Sequence, residues 1–177
     1  MTGDSLEILV KHNRWATRLV LERCALIALP EFHKKYDIGP GTLHNTTTHI
    51  VAAMRRWADR IADRSVRPSI DKAPHATNRT PQELLLFLDD AADDLDAVVM
   101  AITSSKRLGE QFVVTLAASA VGSQEFKITR GAAIVHVLTH GMHHRAQCLN
   151  MLKRLHTKTP LPEIDVIEWQ IVNEMHV

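Results

Sequence analysis

The chain has 177 residues, a length that fits one domain spanning 1–177 with a real hydrophobic core. Its 45% hydrophobic and 23% charged residues are ordinary for a globular protein, and a net charge of +1 leaves no basic excess to recruit nucleic acid. No apolar run approaches a membrane span and Met1-Thr2-Gly3-Asp4 lacks the features of a signal peptide, so the expectation is a cytoplasmic protein without a nucleic-acid or membrane partner.

Residues Leu6 to Leu29 read as a long helix, with Ile8, Trp15, Ala16, Leu19 and Leu26 near helical spacing and Pro30 as its stop. Trp15 and Asn13 lie in its first half: Trp15 reads as core, and spacing does not decide whether Asn13 is a surface or a site residue. Residues 31–40 connect to Gly39-Pro40-Gly41, strong loop punctuation. A second helix is expected from about Thr42 to Ser65, with Leu43, Ile50, Met54, Trp57 and Ile61 as its stripe. Residues 66–79 form a polar loop containing Pro68 and Pro74. In Thr80-Pro81-Gln82-Glu83, Thr80 caps, Pro81 takes the first helical position and Glu83 completes a capping box. The third helix then carries Leu84, Leu88, Ala91, Leu95, Val98 and Ile102 on one face. Asp89, Asp90, Asp93, Asp94 and Asp96 occupy its other faces; without a glycine-centred loop they read as a solvated face rather than a calcium site.

Phe112 to Leu116 and Glu125 to Thr129 are β-prone and flank Gly122-Ser123, which predicts a small irregular hairpin between the third and fourth helices. Thr129 caps the fourth helix, which runs to about His156. Pro160 and Pro162 break the chain, and residues 163–175 make a short closing segment with Ile164, Ile167, Trp169, Ile171 and Val172. The fold class that follows is all-α: an up-and-down four-helix bundle with a small irregular β-hairpin between helices 3 and 4. Cys24 and Cys148 make no disulfide framework and read as reduced core residues.

The fourth helix concentrates the chemistry. His136, His140, His143 and His144 fall within an arc of roughly 100° on a helix, and His140 and His144 stack one turn apart. Such a pair can reach one metal ion, as in the histidine pair of a zinc-protease helix. Leu138, Met142, Leu149 and Leu152 form an apolar stripe opposite. Two ligands do not close a metal site, so a third comes from elsewhere. His44 and His49 of the second helix lie about 140° apart on the wheel, and the wheel leaves both open.

Three segments carry a resemblance. His12-Asn13-Arg14-Trp15-Ala16, the stretch from Leu43 to Trp57, and His140-Gly141-Met142-His143-His144-Arg145-Ala146-Gln147 are similar to the motifs of the DinB/YfiT-like family of metal-dependent enzymes, which is not the DNA polymerase sharing the DinB name. Pro162-Glu163-Ile164-Asp165 resembles that family's closing segment, so the resemblance covers most of the chain. It implies His49 rather than His44, because the family's histidine stands eight residues before a tryptophan. It thus implies a metal site of His49, His140 and His144. Ala146 replaces the usual glycine, and Ala53 and Met54 supply no acidic residue between His49 and Trp57 where many relatives have one.

Three neutral imidazoles suit zinc or nickel, and a three-ligand site leaves positions open for water or substrate. By resemblance, the expectation is a metal-dependent enzyme that activates a low-molecular-weight thiol for transfer or isomerisation of a small-molecule substrate. Metal-dependent hydrolysis is the alternative enzyme reading, and a non-catalytic metal-binding stress-response protein is the alternative outside enzymes. Gln147 and Asn13 are the candidates for orienting substrate. Bundles of this kind commonly form homodimers.

Overall fold

Polar punctuation sets where each element starts. The computed structural model describes residues 4–73, 76–118, 122–156 and 159–174. Helix α1 is Ser5–Cys24, and the Asp4 carboxylate caps it by accepting from the Leu6 and Glu7 amides. The short α2 is Leu29–Phe32 and α3 is Leu43–Ile61, capped by the Thr42 hydroxyl. Helix α4 is Pro81–Ser104, with the Thr80/Glu83 capping box formed as expected. Strands β1, Gln111–Ala118, and β2, Gly122–Thr129, pair antiparallel with Gln111 opposite Thr129. Helix α5 is Arg130–Lys153, capped by Thr129, and α6 is Val166–Glu174.

Boundaries differ from expectation in three places. The first helix stops at Cys24 rather than Leu29, because its last turn tightens: Leu26 donates to Arg23 O and Ile27 to Cys24 O. Pro30 therefore opens α2 instead of ending α1, and Leu26 is 69% exposed instead of core. The second helix ends at Ile61, where Asp63 takes the left-handed conformation at φ +56. The strands are longer than the β-prone runs, so Gly122 and Ser123 lie within β2; residues 119–121 between the strands lie outside the described residues, as do Pro74 and Met175.

The four long helices form the expected bundle, and their contacts give its order. α1 packs on α4 and α5, and α3 packs on the same two, so sequential helices α1 and α3 stand diagonally. Arg14 reaches Asp93 and Asp89 while Arg18 reaches Asp89, so α1 and α4 are antiparallel. Asn13 and Thr17 of α1 meet Arg145, while Val135 and Leu138, earlier on α5, share a groove with Leu9, earlier on α1, so α1 and α5 run the same way. His49 meets His140, Trp57 meets His136 and the Ile61 carbonyl meets Arg130, so α3 and α5 are antiparallel. In chain order the directions are up, down, down, up, so the bundle is four-helical as expected but α3 and α4 run parallel instead of alternating.

That order makes residues 62–80 travel the length of the bundle between two parallel helices. The segment returns along α3, tied by Arg67 N and Nε to Asp59 Oδ2 at 3.0 and 2.9 Å and by Arg56 Nη1 to Ser69 Oγ at 2.7 Å. Asp94 of α4, read as part of a solvated face, instead accepts from Arg64 and Arg67. Where the segment begins, buried Arg130 donates to the Ile61 carbonyl, Asp63 Oδ2 and Glu110 Oε1, fastening the hairpin's base to the end of α3. The expected α4 stripe of Leu84, Leu88, Ala91, Leu95, Val98 and Ile102 is buried, with Leu43, Ile50, Met54, Trp57 and Ile61 of α3. On α5 the stripe is broken, since Met142 is 60% exposed.

Asp59 is 1% exposed and takes two of the bonds that hold the return segment to α3, from Arg67 N and Nε. Asp59→Ala is expected to cost about 3 kcal/mol, because it strands paired charge and a backbone donor. Urea denaturation measures this; a loss below about 1 kcal/mol would show the segment is held otherwise.

Candidate metal centre

The faces of α3 and α5 that meet across the bundle carry His49, His140 and His144, all half-buried. His140 Nε2 lies 3.0 Å from His49 Nε2 and 3.2 Å from His144 Nε2. The available nitrogens of all three lie within 4.8 Å of one another. The sequence-predicted histidines are thus brought together, and His49 rather than His44 joins the pair from α5.

Neighbours fix the rings. Gln147 Oε1 accepts from His144 Nδ1 at 2.8 Å, which leaves a lone pair on His144 Nε2. Gln147 Nε2 in turn donates to His143 Nε2 at 2.9 Å. Gly39, at φ +51, is pressed against this carboxamide; a Cβ there would overlap Gln147. On the other side the His136 ring lies against Trp57 at a tilt of 59° with centroids 4.7 Å apart, and stands 5.6 Å from the His140 ring. Gln147 is therefore in the site, while His136 and His143 surround it.

Asn13 is placed differently. Its Oδ1 accepts from Arg145 Nη1 at 2.5 Å, deep between α1 and α5, and Gly141 abuts it. The side-chain oxygen of this substrate-orienting candidate is committed to a buried guanidinium, which is a structural contact between α1 and α5. His12 of the same motif binds the Ile164 carbonyl through Nε2 at 2.8 Å and anchors the C-terminal segment.

The electrostatics favour neutral rings. Burial, reinforced by His144 and His49, pushes His140 down to about 3. Burial also lowers His49 and His144. Among the described residues His140 Nδ1 has no hydrogen-bond partner, though it is buried. Three ring nitrogens at hydrogen-bonding distance hold too few protons to satisfy every pair, whereas one cation between them would satisfy all three. Nitrogens bound to one tetrahedral zinc stand about 3.3–3.4 Å apart, close to the 3.0 and 3.2 Å that separate His140 Nε2 from His49 and His144. The donor set and its spacing fit a late divalent metal ion.

A groove of about 290 Å³ opens beside His49, walled by Asp71 and Thr77 of the return segment and by His44, Asn45 and Thr48 of α3. Sequence reasoning missed Asp71, because only the backtracking of 62–80 brings it there. Gly39 was visible as loop punctuation, but nothing local linked it to Gln147. Neither cysteine can act in this site. Both are buried and free, and burial raises Cys24 to about 12 and Cys148 well above the ordinary thiol value.

The family model of the DinB family matches residues 2–173. The chain belongs to the DinB family. No curated protein matches the chain. Two solved structures from Bacillus subtilis share the fold of this DinB-family chain. The DinB-like protein YjoA is 12% identical with a TM-score of 0.61, covering 92% of this chain and 99% of its own. YfiT is 14% identical with a TM-score of 0.58, covering 88% and 90%, and is described as a probable metal-dependent hydrolase with an unusual four-helix bundle topology. No helix among the described residues is long and apolar enough to cross a membrane.

Unfolded imidazoles take up a proton below about pH 6.5, while folded His140 resists until about 3, so below pH 6.5 the unfolded state binds more protons. Stability of the metal-free protein is therefore expected to fall as pH drops from 7 to 4. Replacing His140 by Asn is expected to flatten that slope in urea titrations at stepped pH; an unchanged slope would contradict the assigned environment.

Proposed function

We propose that this protein is a divalent-metal-dependent enzyme acting on a small molecule, with His49, His140 and His144 as the metal ligands. The observation that carries the reading is the convergence of three neutral ring nitrogens from α3 and α5. Zinc or nickel is the ion this donor set suits. Bound there, the ion supplies Lewis acidity, which activates a thiol or water nucleophile and polarises a carbonyl. Gln147 holds the proton on His144 Nδ1 and so keeps Nε2 basic. The groove beside His49 admits substrate from one side.

Neither of the chain's two thiols serves the centre as a nucleophile, since both are buried. A low-molecular-weight thiol as nucleophile, in transfer or isomerisation, is the first reading. Hydrolysis by water is the second, and the description of YfiT as a probable metal-dependent hydrolase favours it.

Calorimetric zinc and nickel titrations of untagged protein test the proposal. One ion per chain is expected for the wild type, with binding lost in His49→Ala, His140→Ala and His144→Ala. Gln147→Leu is expected to retain stoichiometry with affinity weakened about 10–100-fold. A wild type that binds neither ion, or ligand variants that bind as well as wild type, would refute it. Turnover of thiol-dependent against hydrolytic substrates by the loaded protein then separates the two reactions.

A further inference from the structure

Two buried polar atoms of residues that line the groove beside His49 have no hydrogen-bond partner among the described residues, and the rest of α3's first turns shows why that is unusual. Thr46 Oγ1 returns to the Thr42 carbonyl at 2.7 Å and Thr47 Oγ1 to the Leu43 carbonyl at 2.8 Å. That back-bonding is what a helical threonine ordinarily does. Thr48, 2% exposed, does not do it, and its hydroxyl has no hydrogen bond.

One turn earlier, on the same helix face, stands His44, 3% exposed. Its proton position is set by its neighbours. Asn45 Nδ2 donates to the Pro40 carbonyl at 3.3 Å, which leaves Asn45 Oδ1 to accept from His44 Nδ1 at 3.1 Å. With Nδ1 protonated, Nε2 of a neutral His44 carries a lone pair, and Nε2 is buried without a partner. The ring cannot swing away easily: His33 stacks on it at 4.6 Å and Phe32 meets it edge-on at 5.5 Å. Native structures rarely leave such atoms unpaired without a bound molecule to serve them.

We propose that His44 Nε2 and Thr48 Oγ1 form the ligand-recognition side of the groove and take a substrate through an N–H or O–H group, a hydroxyl or an ammonium. The inference rests on the metal reading of His49, which lines the same groove. The groove's charge agrees with it. Asp71 adds a carboxylate to the wall, with Arg56 Nη1 3.7 Å from its Oδ2 as the nearest offsetting charge. The free acceptors are a lone pair and a carboxylate, so a hydrogen-bond donor is favoured and a free carboxylate on the ligand is disfavoured.

Three small thiols test this on cobalt-loaded full-length protein: 2-mercaptoethanol, cysteamine and 3-mercaptopropionate. They share the metal-seeking sulfur and differ at the far end, which carries a hydroxyl, an ammonium or a carboxylate. Binding is read from the thiolate-to-cobalt absorption band. The hydroxyl and ammonium thiols are expected to bind about tenfold more tightly than the carboxylate thiol. Thr48→Val, nearly isosteric, and His44→Ala are expected to weaken those two by about three- to tenfold and to leave 3-mercaptopropionate and cobalt stoichiometry unchanged. Thr48→Val keeps the test decisive if His44→Ala disturbs the packing of Phe32. Equal affinities in the wild type, or variants indistinguishable from it, would overturn the proposal while the metal reading stood. A wild type showing no cobalt spectrum before thiol is added would instead overturn the metal reading and this inference together.

Discussion

A buried guanidinium sets the geometry of this bundle. Arg145 is 2% exposed and donates to Asn13 Oδ1 at 2.5 Å and Thr17 Oγ1 at 3.1 Å. Burial lowers it to about 10, so it stays charged near neutrality, and its acceptors among the described residues, Asn13 O, Asn13 Oδ1 and Thr17 Oγ1, are all uncharged. A desolvated cation is tolerated only where its acceptors are held in place. The rotation of α5 against α1 is therefore fixed, and Gly141 permits the approach, since a Cβ there would meet Asn13 Oδ1. With that face of α5 committed to α1, His140 and His144 are turned to α3.

The order of the helices supplies the rest of the site. Because α3 and α4 run the same way, the chain must backtrack along α3 between them, and this long return brings Asp71 and Thr77 to the groove beside His49. Asp59 and Arg56 keep the return in place with ion pairs and hydrogen bonds to Arg67 and Ser69. Simple alternation of neighbouring helices would have left that side of His49 open. At the far end of α5, the Gly39 loop braces Gln147, and Gln147 braces His144. The histidines are held from outside by parts of the chain distant in sequence.

What the sequence made legible follows from the range of the forces involved. The Thr80 capping box and the α4 stripe depend on neighbours three or four residues apart, and they appear as read. The histidine arc on α5 is likewise a matter of helical spacing. The choice between His44 and His49 was not, since it depends on how α3 is rotated against α5, and only the resemblance to a family favoured His49. Spacing left Asn13 open because its partner, Arg145, lies on another helix. The end of α1 was misplaced because a tightened last turn competes with the stop signal of Pro30. The aspartates of α4 looked solvated, yet Asp89 and Asp94 receive arginines from α1 and from the return segment. Ring order, helix direction and ion pairs between helices are tertiary facts with no local signature.

The central claim is that His49, His140 and His144 hold one late divalent ion through ring nitrogen. X-ray absorption at the metal edge of zinc-loaded protein measures that directly. The account predicts three imidazole nitrogens at about 2.0–2.1 Å, with any remaining ligand being oxygen in the absence of added thiol. A first shell containing protein sulfur, or one with fewer than two imidazoles, would contradict it.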